Sequence, residues 1–245
     1  MEGADVSRRD DDSAEGVILA RVREALQLPA PPPHLRSHAA EPAQPGALSI
    51  LPAEAGRPWL PDGGETPDEQ RRILADNLAR LRAEFIHVAD TAAAAAVIAD
   101  RARDRGWRRL AIHGDPLVAA ATATVGCPTH RVDDGAFDKQ ALEACDAGVT
   151  TCESLVAQTG SVLVSSATCG GRSLSVLPHV HVVIATAEQV VGTLADALAR
   201  ARERHGSRLP SMLSFITGPS RTGDIERILV LGAHGPRELV VILVG

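Results

Sequence analysis

Apolar positions recur along most of the chain with two periods, and segments with the helical period alternate with segments of strand length from about residue 68 onward. The first run predicts a helix at 67–83, a strand at 85–88, a helix at 91–104, a strand at 109–113, a helix at 116–125 and a strand at 129–132. Alternation of this kind is typical of a parallel sheet with helices on its faces.

The second half of the chain has more consecutive strand-like runs. It predicts strands at 161–166, 174–177 and 180–185, a helix at 187–204, and strands at 213–217, 227–231 and 239–244. Together the two halves predict one three-layer α/β domain over 68–245, with a mixed, mostly parallel sheet. A domain of this length buries roughly 70% of the surface of its unfolded chain, which is ample for a core.

The residues before 68 have a different pattern. Residues 1–13 are acidic and are predicted to be disordered, and residues 14–28 are predicted to form an amphipathic helix that Pro29 ends. Ten of the sixteen prolines lie between 29 and 67, which predicts a proline-rich, semi-rigid arm. The helix has an apolar face without a local partner, so a homo-oligomer formed through 14–67 is one expected arrangement.

Composition and charge narrow the classes of function. The net charge of -6, most of it in residues 1–15, argues against a nucleic-acid binder, and aromatic residues make up only 2% of the chain. Lys139 is the single lysine among 25 basic residues, so anion recognition falls to arginine. The N-terminus is acidic and does not resemble a signal peptide, and no apolar run approaches the roughly 20 residues of a membrane span. We therefore expect a cytoplasmic protein.

Cysteine and histidine spacing gives little support for a metal site. None of the cysteines forms a Cys-x-x-Cys pair or has a histidine at zinc-finger spacing, so we expect buried or half-buried thiols and no metal. These cysteines are Cys127, Cys145, Cys152 and Cys169. His179 and His181 alternate along a predicted strand, but no third ligand is near them in sequence, and we expect packing within the sheet.

The densest group of chemically active residues follows the predicted strand at 213–217. Its glycines and polar residues are Gly218, Ser220, Arg221, Thr222, Gly223, Asp224 and Glu226. Ligands of open α/β sheets bind at strand ends, and the planar fork of Arg221 suits a carboxylate or phosphate. The alternative is a tight turn held by a pair between Arg221 and Asp224.

Two further segments carry candidate chemistry. The segment 232–236 presents His234 between two glycines, either as a general acid or base or as a turn residue bonded to the backbone. The other segment contains Thr159, Gly160 and Ser161. Glu153, shortly before it, is interpreted as a solvated helix-end residue rather than a nucleophile, and the glycine-rich stretch 169–172 as a mobile lid.

These C-terminal segments resemble the LUD-domain family, and within it the lactate-utilisation protein C group. The family's signature reads approximately GPSxTxDIE, then GxHGP, then an apolar last strand, and residues 218–226, 232–236 and 239–244 match it in order and spacing. The middle segments 148–150 and 159–161, and the leading helix, are also similar to the family.

The resemblance implies a fold related to the ribose-5-phosphate isomerase, glucosamine-6-phosphate isomerase and CoA-transferase group. It also implies a role in the oxidation of L-lactate to pyruvate beside two partner proteins, one or both carrying iron–sulfur clusters, with no cofactor bound by this chain. One position departs from the family. The family usually has an acidic residue where this chain has Gln158, which bears on whether this chain catalyses a step.

Three functional hypotheses follow. In the first, the chain is a subunit of a lactate-oxidising system and binds a small carboxylate. The expected substrate-binding residues are Thr159, Gly160, Ser161, Gly218, Ser220, Arg221 and Thr222, and the expected catalytic residues are His234, Asp224 and Glu226. In the second, the chain organises partner proteins through its helix and arm without chemistry of its own. In the third, it is a free-standing isomerase or CoA-transferase-like enzyme with Glu226 or Glu153 as base or nucleophile.

Overall fold

The computed structural model describes residues 61–134, 137–222, 230–232 and 235–245, together with Ala20 and Arg21, which are helical. The rest of the predicted tail, leading helix and arm lies outside the described residues. The helices of the domain are α1 (Pro67–Arg80), α2 (Thr91–Arg105), α3 (Pro116–Thr122), α4 (Lys139–Glu143) and α5 (Leu194–His205), with a 3-10 turn at Ala187–Gln189. None of the helices in this part of the chain has the length and hydrophobicity that a bilayer crossing requires.

The strands that the structure describes fall into three sheets. They are β1 (Glu84–Val88), β2 (Leu110–Ile112), β3 (Thr129–Arg131), β4 (Ala147–Thr150), β5 (Ser154–Val156), β6 (Ser161–Ser165), β7 (Val180–Thr186), β8 (Val190–Val191), β9 (Leu213–Ile216), β10 (Arg221–Thr222), β11 (Val230–Leu231) and β12 (Glu238–Val244). The main sheet is parallel throughout, in the order β1-β12-β7-β4-β2-β3. A mixed sheet has the order β8-β5-β6-β9, and β10 pairs with β11 in an antiparallel ribbon.

Local sequence determines where the helices begin and end. Thr66 and Glu69 form a capping box at the start of α1, with Pro67 in the first turn. Asp90 caps α2 by accepting a hydrogen bond from a backbone N–H, and Gly106 ends that helix in the left-handed conformation at φ 64°. These signals lie within the segments themselves, and the observed helices agree closely with those predicted at 67–83 and 91–104.

The alternation of side chains along the parallel strands separates two cores. Val182 and Ile184 of β7 pack with residues of α2 and α3 on one face of the main sheet. Val183 and Ala185 face the other way, toward α1 and the mixed sheet. Outside the mixed sheet lies α5, whose Ala197 and Ala201 are buried against it together with residues of β5 and β6. The predicted three-layer α/β fold is confirmed, and the mixed character belongs to the smaller sheet.

Two predicted elements are wrong. Residues 174–177 form turns and a bend rather than a strand, because the N–H groups of Val176 and Leu177 donate back to the carbonyl oxygen of Ser173, at 3.0 and 2.9 Å. The single helix predicted at 187–204 is instead a 3-10 turn, the strand β8 and then α5. Thr193 starts α5 as its N-cap, so the helical pattern before it is coincidental.

Candidate functional site

The structure brings the two glycine-containing segments that were predicted to bind substrate together at the C-terminal end of α1. Gly160 and Gly218 have positive φ, 65° and 86°, and each lies against Leu81. A Cβ on Gly160 would lie 3.0 Å from the Leu81 side chain, and one on Gly218 would lie 3.1 Å from its carbonyl oxygen. Because other residues neither fit this space nor adopt this φ readily, glycine is required at both positions.

Hydroxyl groups link these two segments. The Oγ1 of Thr159 lies 2.7 Å from the Oγ of Ser161, which lies 2.8 Å from the Oγ1 of Thr217. Ser161 is buried and Thr217 is exposed, so the chain of hydroxyls runs from the interior to the surface. Thr217 was not identified from the sequence, because the pattern of apolar residues predicts it only as the last residue of the strand at 213–217.

Arg221 lies over the same region, with its side chain exposed. Its Nη2 donates a hydrogen bond of 2.7 Å to the carbonyl oxygen of Leu81, which follows α1. A guanidinium at this position stabilises the free carbonyls of a helix end, so Arg221 has a structural role. This contact uses one of the five N–H groups of the guanidinium. Binding a carboxylate through two parallel hydrogen bonds needs two N–H groups, which the other four can supply.

Ser220 connects this region to the segment before β12. Its N–H donates to the carbonyl of Pro236 at 2.9 Å, and its carbonyl accepts from the N–H of Gly232 at 2.9 Å. Thr222 pairs with Val230 in the ribbon of β10 and β11. Asp224, Glu226 and His234 lie outside the described residues, so their catalytic roles stay predictions.

A second group of polar residues surrounds a cavity of about 570 Å³ at the carboxyl edge of the main sheet. Its walls come from the residues after β2, β4 and β7 and from α5. The chain leaves β2 outward to β3 and then returns to β4 on the other side of β2. A reversal of this kind opens a crevice between adjacent loops, which is where open α/β sheets bind ligands.

Glu153 is the central charged group of this wall, with its side chain 2% exposed. One carboxylate oxygen accepts hydrogen bonds from the Thr168 hydroxyl and from the Nε2 of His205 at 2.9 Å. The other forms an ion pair of 2.8 Å with Arg204. The interpretation of Glu153 as a solvated helix-end residue is therefore wrong, and with both oxygens engaged it is also not free to attack a substrate.

Two opposing effects set the protonation state of Glu153. Burial by itself raises the pKa of its carboxyl group, but hydrogen bonds from the surrounding hydroxyls, guanidinium and imidazole outweigh burial and lower the pKa to about 2. Glu153 is therefore ionised at neutral pH, and the Nε2 of His205 is the donor in their contact. The sequence pattern did not indicate this site, because it predicted no strand at 147–150 and therefore did not place Glu153 at a strand end.

Two further contacts stabilise the loops around the cavity. The buried His113, after β2, accepts a hydrogen bond of 3.3 Å at Nε2 from the N–H of Thr151, after β4. Burial lowers the pKa of His113, in keeping with a neutral ring that accepts. Gln189, after β7, donates to the Thr151 hydroxyl at 3.4 Å. Each strand end is thus tied to its neighbour.

The cysteines and His181 behave as the sequence indicates, whereas His179 is exposed and lies before β7 rather than packing within the sheet. Three cysteines are buried, Cys127 is half-buried, and burial raises the pKa of each thiol. His181 of β7 bonds to Thr150 of the neighbouring β4, with 2.9 Å between the Nε2 and Oγ1 atoms, which is packing within the sheet. Among the described residues, no three His, Cys, Asp or Glu side chains are grouped as a metal site would need.

Comparison with known proteins decides the family. A profile of the LUD domain matches residues 72–244, which is most of the described domain. The chain belongs to the LUD-domain family. The fold agrees, since a crystal structure of a DUF162 family protein from Deinococcus radiodurans superposes with a TM-score of 0.59 at 25% sequence identity, over 74% of this chain and 100% of that one.

Curated relatives of this LUD-domain chain carry the name lactate utilization protein C. The protein of that name from Bacillus licheniformis is 29% identical over 195 residues, covering 74% of this chain and 80% of the relative. Those from Shouchella clausii and Bacillus subtilis are 38% and 35% identical over 103 and 114 residues. The chain spans about half the length of these last two relatives, 45% and 48%.

Proposed function

We propose that this chain acts in lactate utilisation, as the subunit that binds a small carboxylate such as L-lactate or pyruvate. The names of its relatives support a role in lactate utilisation. Oxidation of lactate to pyruvate releases two electrons and two protons. The electrons would pass to iron–sulfur clusters of partner proteins, as the family resemblance implies.

The assignment of the ligand rests on one observation: polar groups from two segments of the chain meet at the C-terminal end of α1. An exposed guanidinium, that of Arg221, is separated by one short loop from Thr217, whose hydroxyl lies 2.8 Å from that of Ser161. The N–H groups of Arg221 that do not bond to Leu81 suit the two oxygens of a carboxylate. The adjacent hydroxyls both donate and accept, and they suit the 2-hydroxyl of lactate or the 2-oxo group of pyruvate.

Calorimetric titration of the full chain with L-lactate and with pyruvate tests this assignment. We expect binding that Arg221→Ala weakens at least tenfold and Arg221→Lys weakens less, because lysine keeps the charge but loses the fork. Arg208→Ala removes another exposed arginine and is the matched control. Absence of binding at millimolar ligand, or equal affinity in Arg221→Ala and the control, contradicts the assignment.

A further inference from the structure

The cavity at the carboxyl edge of the main sheet is much larger than the carboxylate of the proposed function. Its volume of about 570 Å³ lies within the range of roughly 300–1,000 Å³ typical of metabolite sites. Lactate and pyruvate each have six non-hydrogen atoms and would leave most of this space empty. A ligand that matches the cavity has the size of a nucleoside or a small sugar.

The wall of the cavity is built around a buried charge. Removing the Glu153 carboxylate from water is unfavourable unless donors replace the lost hydration, and here three side chains do so. The result is that Arg204 is anchored on one side while its side chain stays 54% exposed. An anchored guanidinium presents its other N–H groups to the cavity in a defined direction, as binding sites require.

The charges that line the cavity disfavour an anion. Its carboxylates outnumber its guanidiniums, with acids at Asp115, Glu153, Glu188 and Glu203 and arginines at Arg200 and Arg204. The excess of negative charge repels lactate, pyruvate and phosphate groups.

The order of these groups also matters. Donors and acceptors are interleaved on α5, where Glu203 lies between Arg200 and Arg204 in sequence and all three line the cavity. A hydroxyl group can donate a hydrogen bond to a carboxylate and accept one from a guanidinium. It can therefore bond to both kinds of side chain without bringing a charge that must be desolvated. Vicinal hydroxyls facing carboxylates are the arrangement by which ribose is held in dinucleotide-binding folds.

We propose that this cavity binds an uncharged, hydroxyl-rich metabolite of about nucleoside size, held by Arg200, Glu203 and Arg204 of α5. The ligand enters at the strand ends and is separate from the carboxylate at Arg221. Glu153 is a positioning residue for Arg204. The cavity therefore gives the chain a second ligand, chemically distinct from lactate.

The experiment compares neutral probes with their phosphorylated counterparts. Adenosine and AMP form one pair, and myo-inositol and its monophosphate form the other, each titrated into the full chain and followed by calorimetry and ligand-observed NMR. We expect at least one neutral probe to bind with a dissociation constant below about 10 mM, and its phosphate to bind more weakly. If neither neutral probe binds in that range, or if the phosphate of a bound probe binds as well or better, the proposal is wrong.

Two variants of α5 locate the bound probe. Glu203→Gln removes a cavity carboxylate at an exposed position, and we expect it to weaken binding of the neutral probe about tenfold. Arg202→Gln changes an exposed residue of the same helix outside the cavity lining and should leave binding unchanged. Unchanged affinity in Glu203→Gln overturns the site. Lactate titration of the same variants separates the two proposals, since Glu203→Gln should not alter lactate binding.

Discussion

His181 is a fully buried imidazole in the middle of the parallel sheet, 1% exposed. Its Nε2 bonds to Thr150, while its Nδ1 has no hydrogen-bond partner among the described residues. Burial lowers the pKa of His181 to about 3, because the charged ring would lose its hydration without gaining a counter-charge. The folded domain therefore holds this ring neutral between about pH 6.5 and pH 3, where the unfolded chain protonates it.

This pKa difference predicts a loss of stability on mild acidification. Unfolded histidine has a pKa of about 6.5, so below that pH the unfolded state binds one more proton and is favoured. Between pH 8 and pH 5 the free energy of unfolding should fall by about 2 kcal/mol through His181. Glu153, with its pKa lowered to about 2, adds to the loss only below about pH 4.5.

Urea unfolding of His181→Gln at the two pH values measures this contribution. The amide keeps a partner for Thr150 but does not titrate, so the difference between pH 8 and pH 5 should shrink by about 2 kcal/mol. His179→Gln changes an exposed histidine two residues away and should keep the wild-type difference. The same pH dependence in His181→Gln as in the wild type would rule out His181 as the source.

The environment of some side chains could be predicted from the sequence, whereas that of others could not. Cysteine spacing alone indicated buried or half-buried thiols, because the absence of ligand patterns is a local property. Glu153 was misread, since its partners Arg204 and His205 are about fifty positions away and meet it only through the packing of α5 on the mixed sheet. Contacts at that separation leave no periodic signal.

At the scale of elements, Gln158 joins three segments of the domain. Its Nε2 donates a hydrogen bond of 2.7 Å to the carbonyl of Pro61, before α1, and its Oε1 accepts from the N–H of Leu194, at the start of α5, at 3.5 Å. Asn77 of α1 donates to its backbone carbonyl at 3.2 Å. An amide is suited to this place because it donates and accepts at once.

Gln158→Glu, which introduces the acid that the family resemblance implies at this position, should weaken this junction in a pH-dependent way. An ionised carboxylate cannot donate to Pro61 and leaves that carbonyl without its partner, so we expect a loss of about 1–3 kcal/mol relative to wild type at pH 7.5. At pH 5 part of the loss should be recovered, because burial raises the pKa of a carboxyl group and the protonated acid donates again.

Chemical unfolding of wild type and variant at both pH values measures these differences. Gln140→Glu makes the same change at an exposed position of α4 and controls for the added charge. If Gln158→Glu and Gln140→Glu differ from wild type by the same amount at both pH values, Gln158 does not act as a donor to Pro61.

Elements with strong local signals were predicted closely, and elements defined by pairing were not. The helix at 91–104 and the strand at 180–185 nearly coincide with α2 and β7, since caps and continuous apolar runs lie within the segments themselves. The central strand β4 and the short helix α4 were not predicted, and neither were the short strands β5 and β8. Strands β5 and β8 pair with each other in parallel, and two or three residues carry too little pattern to indicate a strand without that partner.

At the scale of the molecule, the two proposed ligand sites lie at different places on one fold. The region of Arg221 was identified from a sequence motif, whereas the cavity beside Glu153 depends on the strand order and could not be derived from a single sequence. Parallel strands of similar composition can be ordered in several ways, and only the observed order puts the reversal between β2 and β4.

We propose above that the chain binds lactate, which is then oxidised with the help of iron–sulfur partner proteins. The most direct measurement is the lactate-dependent bleaching of the partners' visible absorbance, under anaerobic conditions, with and without this chain. We expect bleaching with the complete set of proteins, and no bleaching when the chain is omitted or replaced by the Arg221→Ala variant. Bleaching that proceeds equally without the chain would contradict this proposal.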